Sequence, residues 1–240
     1  MDDHPEEKPS ADNRVSIDIF TVLGHDLKSP LNAVESYLEI ILNKVLGDSI
    51  DPYRPMVENS IVRLHQMREL IADVVDWSKL QQPPSSRNIM LLDVSKTVRR
   101  IVDRYAQDAQ NRGIVISADI EDGLTIPALS AEIELIVRHL MDNAIKYNKD
   151  NGSVHVFLTR EGSQINLKVA DTGIGLTAEE QARLFNEFVR IKNSKTQDVR
   201  GTGLGLAIVK RVIELYHGNV SVESKADIGT TFSLTFPCEG

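Results

Sequence analysis

The stretch FTVLGHDLKSPL, residues 20–31, places two titratable side chains, His25 and Asp26, side by side in an apolar run with helical spacing. Such a pair could serve nucleophilic or acid–base chemistry, because an imidazole changes its charge close to neutral pH. A lone histidine on a helix is, however, more often a surface or capping residue. The interpretation of the pair therefore depends on what chemistry the rest of the chain supplies.

The segment VADTGIG, residues 169–175, predicts a strand that ends in Asp171 and continues into two alternating glycines, Gly173 and Gly175. A carboxylate at a strand end can accept a hydrogen bond from an exocyclic amine such as N6 of adenine. The glycines allow unusual backbone angles and let a planar ligand approach closely. An ordinary tight turn has the same composition, so the segment alone is compatible with both interpretations.

The segment GTGLGLAIV, residues 201–209, carries three alternating glycines, Gly201, Gly203 and Gly205, just before an amphipathic helical pattern. Backbone N–H groups at the start of a helix form a cradle for anions such as phosphates. The spacing of these glycines and the polar loop before them differ from the dinucleotide-binding fingerprint. A P-loop is excluded as well, because no G-x-x-x-x-G-K-[ST] pattern occurs in the chain.

Polar side chains also follow one face of the helix predicted for residues 130–148, with Ser130 as its expected N-cap. His139, Asn143 and Lys146 lie at positions i, i+4 and i+7, opposite an apolar stripe. An asparagine oxygen can bind Mg²⁺ and a lysine one turn further can bind phosphate. Any solvated helix face shows such spacing, so this stripe alone also leaves both interpretations open.

The first half of the chain has the helical period expected of a coiled-coil stripe, interrupted at LGDSIDP, residues 46–52, and ended at QQPPSS, residues 81–86. The pattern predicts a helical hairpin. Two helices bury little apolar surface on their own, so we expect the hairpin to pair with a second copy of the chain and form a four-helix bundle. The alternative is that the stripe packs on the second half of the same chain. The apolar positions are Ile17, Phe20, Leu27, Leu31, Val34, Leu38, Ile41 and Val45, then Ile61, Leu64, Met67, Ile71, Val74 and Trp77.

The second half alternates between helical and strand patterns and predicts a mixed sheet covered on one face by helices. The segment QQPPSSRN, residues 81–88, is the expected hinge between the halves. Helices are predicted at 94–113, 130–148 and 205–218, and strands at 114–120, 153–162, 163–171, 219–224 and 230–237.

Composition limits the class of protein. The 240 residues carry a net charge of -8, which argues against non-specific binding to nucleic acid or to anionic membrane surfaces. The single cysteine, Cys238, excludes an intramolecular disulfide and suits a reducing compartment. No apolar run is long enough for a membrane segment, and the first twelve residues are acidic. We therefore expect a cytoplasmic chain, which could be part of a longer sensor protein.

Taken together and in order, the motifs are similar to those of a known family. HLMDNAIKYN, DTGIG, LFNEFVRI, GTGLGLAIVK and GTTF resemble the N, G1, F, G2 and G3 boxes of the sensor histidine kinase catalytic domain, and GHDLKSPL resembles the H box. The resemblance implies two domains: an all-α helical hairpin that forms a dimeric four-helix bundle, then an α/β two-layer sandwich of the Bergerat ATP-binding type. Their expected limits are 1–12 for an acidic tail, 13–82 for the hairpin, 83–88 for the hinge and 89–240 for the catalytic domain.

The resemblance implies that His25 is the phosphoacceptor for ATP- and Mg²⁺-dependent autophosphorylation, and that the group then passes to an Asp of a response-regulator receiver domain. Asp26 stands where the family usually has Glu, and would fix the imidazole tautomer on a shorter arm. Pro30 is expected to bend the helix just beyond the site. Ser29 stands where the family often has Thr or Asn to orient a water, so a phosphatase activity is allowed by the resemblance.

For the second domain the resemblance implies a nucleotide site with a mobile lid at residues 185–200. His139 stands where the family commonly has Asn. Phe185 and Phe188 would anchor the lid, and Arg190, Lys192, Lys195 and Arg200 are candidates for steering phosphates. Implied roles are Mg²⁺ ligation for Asn143, phosphate contact for Lys146, nucleotide contact for Tyr147, adenine binding for Asp171, pocket walls for Gly173 and Gly175, a phosphate loop for Gly201, Gly203 and Gly205, and a water-mediated adenine contact for Thr230 or Thr231.

Two other classes of function stay open at the level of sequence. The N, G1 and G2 motifs also resemble a wider superfamily of ATP-driven clamps and of serine kinases, in which His25 would be incidental. A degenerate kinase that only dimerises and binds a regulator is the third interpretation. The box HDLKSP on a dimerising helix favours the histidine kinase over the clamp and the serine kinase. The intact His25, Asn143 and Asp171 favour an active enzyme over the scaffold.

Overall fold

The computed structural model describes residues 11–81, 89–191, 193, 195–196 and 201–238, with the backbone alone described for 11–23 and 25. The chain divides into two compact units, Met1–Ala72 and Asp73–Gly240. The predicted hinge at 83–88 lies outside the described residues, as does the predicted acidic tail except for Ala11 and Asp12.

The first unit is built from two long helices, as the apolar period predicts. A tyrosine organises their connection: the Tyr53 hydroxyl accepts a hydrogen bond from the Leu46 N–H at 2.8 Å and donates one to the Gly47 carbonyl at 2.9 Å. Gly47 supplies the positive φ of 96° that this turn needs. The helices are α1 (Ala11–Leu42), which runs without interruption through Pro30, and α2 (Arg54–Leu80), whose last turns belong to the second unit.

The second unit contains a mixed five-stranded sheet and helices, as the sequence predicts. The strands of this sheet are β2 (Val115–Ile120), β4 (Ser153–Glu161), β5 (Gln164–Asp171), β6 (Asn219–Lys225) and β7 (Gly229–Pro237). Their order is β2-β4-β5-β7-β6, with β2 parallel to β4 and all other pairs antiparallel. The helices are α3 (Val94–Gln110), α4 (Ser130–Lys146), the short α5 (Ala178–Gln181) and α6 (Gly205–Leu215).

Alternating burial along the strands shows which side of the sheet carries the core. In β4 and β7 every second residue is buried, which is the pattern of a sheet with one covered face. Helices α3, α4 and α6 bury apolar side chains of their own, and α3 and α6 both pack on α4. This is the two-layer sandwich that was predicted. Its core includes Ile133, Ile136, Leu140, Val156, Leu158, Leu167, Ile208, Val212, Leu234 and Phe236.

Three details differ from the sequence predictions. A separate two-stranded sheet of β1 (Met90–Asp93) and β3 (Thr125–Ala128) was not predicted. Ser130 is not the N-cap of α4: Leu129 takes that position, and the Ser130 hydroxyl donates to the Glu134 carboxylate at 2.9 Å. Helices α4 and α6 end at Lys146 and Leu215, earlier than their apolar patterns suggested.

In the part of the chain that is described, no helix is long and apolar enough to span a bilayer.

Candidate nucleotide site

Asp171 ends β5 in the second unit, as predicted, and begins the aspartate turn, residues 171–175. Its Oδ1 accepts a hydrogen bond from the Gly173 N–H at 2.8 Å. Burial raises the pKa of this carboxyl to about 6, although the Gly173 and Thr230 N–H groups act in the opposite direction. A half-buried carboxylate with acceptor capacity left can bind an amine-bearing base, which is the chemistry expected of Asp171.

A backbone hydrogen bond joins the aspartate turn to the end of α4. The predicted motifs DTGIG and HLMDNAIKYN therefore lie next to each other. The Ile174 N–H donates to the Tyr147 carbonyl at 3.0 Å. Gly173 permits this approach, because a Cβ there would lie 2.3 Å from the Tyr147 oxygen. Gly175 has φ 62°, and a Cβ there would lie 2.0 Å from the Lys225 oxygen. Both glycines are therefore required by close backbone contacts.

The glycine loop, residues 201–205, leads directly into α6. The N-cap of α6, Leu204, offers no side-chain hydrogen bond, which suits a helix N-terminus that receives an anion. A Cβ on Gly201 would lie 2.8 Å from Lys146 Nζ, so the ammonium group of α4 stands at this loop. Gly203 has φ 74° and packs on the backbone of Phe188. The structure thus brings the predicted lysine and the predicted phosphate loop together.

His139 lies beneath the glycine loop and is not part of a solvated helix face. A Cβ on Gly205 would lie 2.9 Å from its Nδ1, and its side chain is only 8% exposed. Burial, helped by the nearby Arg138, lowers the pKa of His139 to about 3, so the imidazole is neutral. Its Nε2 is buried without a hydrogen-bond partner among the described residues.

Asn143 fits the predicted role of a Mg²⁺ ligand by its chemistry and its surroundings. The side chain is half-buried on α4, and its amide makes no hydrogen bond with any residue that the structure describes. A single amide oxygen is a usual protein contribution to Mg²⁺, for which phosphates and water supply the other ligands. No group of three or more His, Cys, Asp or Glu that could bind a metal occurs in the described part of the chain.

The lid segment, residues 185–200, is described only in part. Phe185 packs edge-on against Phe232 at 6.3 Å between ring centroids, which supports its predicted role as an anchor. Arg190 lies close enough to Tyr147 to lower the pKa of that phenol, against a larger rise caused by burial. Lys195 is paired with Asp227. Lys192 and Arg200 lie outside the described residues.

Three predicted residues stand on α1 in the first unit. His25 and Asp26 lie in mid-helix, Asp26 is half-buried, and Ser29 is exposed one turn further on. The side chain of His25 lies outside the described part of the chain, so its role as the phosphoacceptor stays a prediction. The last predicted residue, Thr231, pairs with Ala170, so its side chain lies on the sheet face opposite to that of Asp171. Its predicted alternative, Thr230, pairs with Asp171 and donates its N–H to that carboxyl.

Sequence reasoning missed the side chains that support this site. Arg112 donates to the Ile145 carbonyl at 2.5 Å and to the Asn148 carbonyl at 2.9 Å, and so satisfies the end of α4 beside Tyr147. The buried Asn148 side chain donates to the Ala144 and Ser153 carbonyls, both at 3.0 Å. For Arg112 the sequence carried only a weak signal, a polar residue next to the predicted helix-ending Gly113.

The chain thus has a two-helix unit followed by a two-layer α/β unit. The α/β unit carries an aspartate turn, a glycine loop and a lysine between the turn and the loop. These features are typical of a nucleotide-binding protein with a separate helical part. Comparison with known families agrees. Residues 17–83 match the His Kinase A (phospho-acceptor) domain, and residues 128–240 match the histidine kinase-, DNA gyrase B- and HSP90-like ATPase family. The two matches together identify the chain as a histidine kinase catalytic core.

Individual relatives show the same relationship. The sensor-like histidine kinase SenX3 of Mycolicibacterium smegmatis is 29% identical over 220 residues, which cover 92% of this chain and 57% of the relative. The chain spans about half the length of the SenX3 relatives that it matches.

Solved structures show the same fold. Full-length ShkA in complex with AMPPNP is 25% identical with a TM-score of 0.66, over 93% of this chain and 46% of ShkA. Histidine kinase ThkA in complex with the response regulator protein TrrA has a TM-score of 0.68 at 19% identity, over 95% of this chain and 64% of ThkA.

Proposed function

We propose that this chain transfers the γ-phosphate of ATP to His25 and then to an Asp of a response-regulator receiver domain. The observation that carries the proposal is the joining of two parts in one chain. His25 and Asp26 lie on α1 within the match to the phospho-acceptor domain, and Asp171, Lys146 and the glycine loop lie within the match to the ATPase family, which supports the proposal.

In the proposed reaction a neutral imidazole nitrogen of His25 attacks the γ-phosphorus. A nitrogen–phosphorus bond forms, the bond from the γ-phosphorus to the bridging oxygen breaks, and ADP leaves with that electron pair. Asp26 accepts a hydrogen bond from the other ring nitrogen and stabilises the positive charge that develops there. Ser29 follows one turn later and stays a candidate for orienting a water in phosphatase chemistry.

The nucleotide is held by the second unit. Asp171 accepts from the adenine amine, and Tyr147 and the aspartate turn wall the base. Of the two candidate threonines, Thr230 pairs with Asp171 on the same sheet face and would make the water-mediated contact. Lys146, Arg190 and the N–H groups of the glycine loop bind the phosphates. Mg²⁺, when bound through the Asn143 oxygen, neutralises phosphate charge.

The partners follow from the same reasoning. A second copy of this chain would complete a four-helix bundle with α1 and α2, which expose many apolar side chains in a single chain. A receiver domain would accept the phosphoryl group, which is supported by the ThkA structure solved with its response regulator.

Incubation with γ-labelled ATP and Mg²⁺ tests the proposal. The unmodified chain should take up an acid-labile, alkali-stable label, and His25→Ala and Asn143→Ala should both lose it. His65→Ala is the matched control, since His65 is an exposed histidine of α2 that should not affect labelling. An acid-stable label that survives His25→Ala would overturn the proposal in favour of a serine kinase, and nucleotide binding without any label would favour a clamp or a scaffold.

A further inference from the structure

One contact of the second unit has no part in the proposed reaction, although it lies directly on the glycine loop. Asp73, in the last turns of α2, accepts a hydrogen bond from the Thr202 hydroxyl at 2.6 Å through its Oδ2. Its Oδ1 lies 3.9 Å from Nε2 of the buried His139, and its side chain is only 13% exposed. The Thr202 hydroxyl in turn accepts from the Leu204 N–H at 3.1 Å. A hydrogen-bonded chain therefore connects a buried carboxylate to the start of α6.

The charge of this carboxylate is poorly compensated by its neighbours. His139 is neutral, and Arg138, whose charge lowers the pKa of Asp73, forms its own ion pair with Asp76 at 3.2 Å. Burial raises the pKa of Asp73, and the charges of Asp76 and Asp142 raise it further. What favours the anion most is the Thr202 hydroxyl of the glycine loop, followed by the charge of Arg138.

We propose that Asp73 acts as an anionic plug of the glycine loop, which competes with the phosphates of the nucleotide for Thr202 and for the N-terminus of α6. The inference rests on the proposed nucleotide site and adds a regulatory contact to it. Two anions at the same helix N-terminus repel each other, and the repulsion is large where water is scarce. Binding of phosphates and the Asp73–Thr202 bond therefore oppose each other, and by linkage each weakens the other to the same degree.

The test is calorimetric titration of the full chain with ADP and with adenosine, which lacks phosphates. Asp73→Asn keeps the shape of the side chain and removes its charge. We expect Asp73→Asn to bind ADP roughly tenfold more tightly, as one removed charge repulsion of moderate size would give. Adenosine affinity should stay unchanged. Asp76→Asn is the matched control, because Asp76 lies one turn further on α2 and pairs with Arg138 instead of the loop.

Each outcome decides the inference. Tighter ADP binding with unchanged adenosine binding in Asp73→Asn, and neither change in Asp76→Asn, supports the plug. Equal changes for ADP and adenosine would overturn it, because Asp73 would then act on the fold and not on phosphates. Unchanged ADP affinity, or the same gain in both variants, would also overturn it. If neither the parent chain nor Asp73→Asn binds ADP or adenosine, the proposed nucleotide site itself fails, and circular dichroism establishes that the variants are folded.

Discussion

Asp171 combines two properties that oppose each other, a half-buried position and a carboxylate that must be ionised to accept the adenine amine. Burial raises its pKa to about 6, well above the usual value for an aspartate. The carboxyl is therefore neutral below pH 6 in the nucleotide-free chain and ionised above it. Base binding selects the ionised form, so it should release a proton when the solution pH lies below that pKa.

We predict that adenosine affinity falls about tenfold between pH 7.5 and pH 5, because only about a tenth of the carboxyl is ionised one unit below its pKa. Calorimetry with adenosine avoids the titration of the phosphates. Asp171→Asn should bind adenosine weakly at both pH values and show no such dependence. Asp119→Asn is the control, since Asp119 pairs with the exposed His155 away from the site. A pH dependence that survives in Asp171→Asn would contradict the assignment.

The residues identified from the sequence are those whose role is indicated by the residues next to them in the chain. Asp171 follows a strand pattern, and the glycines of both loops alternate next to a turn or a helix start. Asp73 and Arg112 were missed because their partners, Thr202 and the Ile145 carbonyl, are distant in sequence. His139 was taken as one member of a polar stripe, because helical spacing cannot show that a loop from elsewhere covers that position.

At the scale of elements, the glycine loop depends on a backbone conformation as well as on space. Gly203 has φ 74°, and a Cβ there would lie 2.9 Å from the Phe188 carbonyl carbon. Gly203→Ala should lower the free energy of unfolding by about 3 kcal/mol, from left-handed strain plus steric overlap. ADP affinity should fall roughly tenfold, since the cradle is displaced.

A second glycine separates these two causes. Gly162 has φ 61° in the β4–β5 turn, and a Cβ added there would meet no other atom within 4 Å. Gly162→Ala should cost about 1 kcal/mol of left-handed strain and leave ADP affinity unchanged. Urea denaturation and calorimetry measure both quantities. Equal losses in the two variants would show that contact with Phe188 is unimportant.

The stability of the end of α4 depends on Arg112. Its guanidinium donates hydrogen bonds to backbone carbonyls that have no partner within the helix. Arg112→Gln should lower the free energy of unfolding by about 2 kcal/mol, because buried acceptors lose a charged donor. Nucleotide affinity should fall as well, since Lys146 and Tyr147 are at this helix end. Lys96→Gln, which removes an exposed ion pair with Asp93, should leave chemical denaturation unchanged. An Arg112→Gln variant as stable as Lys96→Gln would refute this role.

The elements themselves were predictable where their periodic patterns are long. The two helices of the first unit and the strands of the main sheet follow from apolar spacing. The small β1–β3 sheet was missed because each strand has four residues and β3 contains Pro127, which offers no N–H to a partner. The expected cap at Ser130 was wrong because a serine side chain can also bond within its own helix, and here it reaches Glu134.

At the scale of the whole molecule, the apolar surface of the first unit needs a partner. Leu38 and Leu42 on α1 are 55% and 81% exposed, and Ile61 and Ile71 on α2 are 48% and 51% exposed in the single chain. These positions belong largely to the periodic stripe that predicts a four-helix bundle. A stripe of this length exposed to water is unfavourable, and pairing of two copies would remove it.

We predict that the chain sediments as a dimer and that Leu38→Asp weakens the dimer at least about 100-fold, because the symmetric bundle buries the new charge twice. Ile228→Asp is the control, since Ile228 is 58% exposed in the β6–β7 turn of the second unit, and it should remain dimeric. Analytical ultracentrifugation over a range of concentrations measures both variants. If Leu38→Asp sediments like the parent chain, the exposed stripe is not the dimer interface, and the bundle would have to be abandoned in favour of packing within one chain.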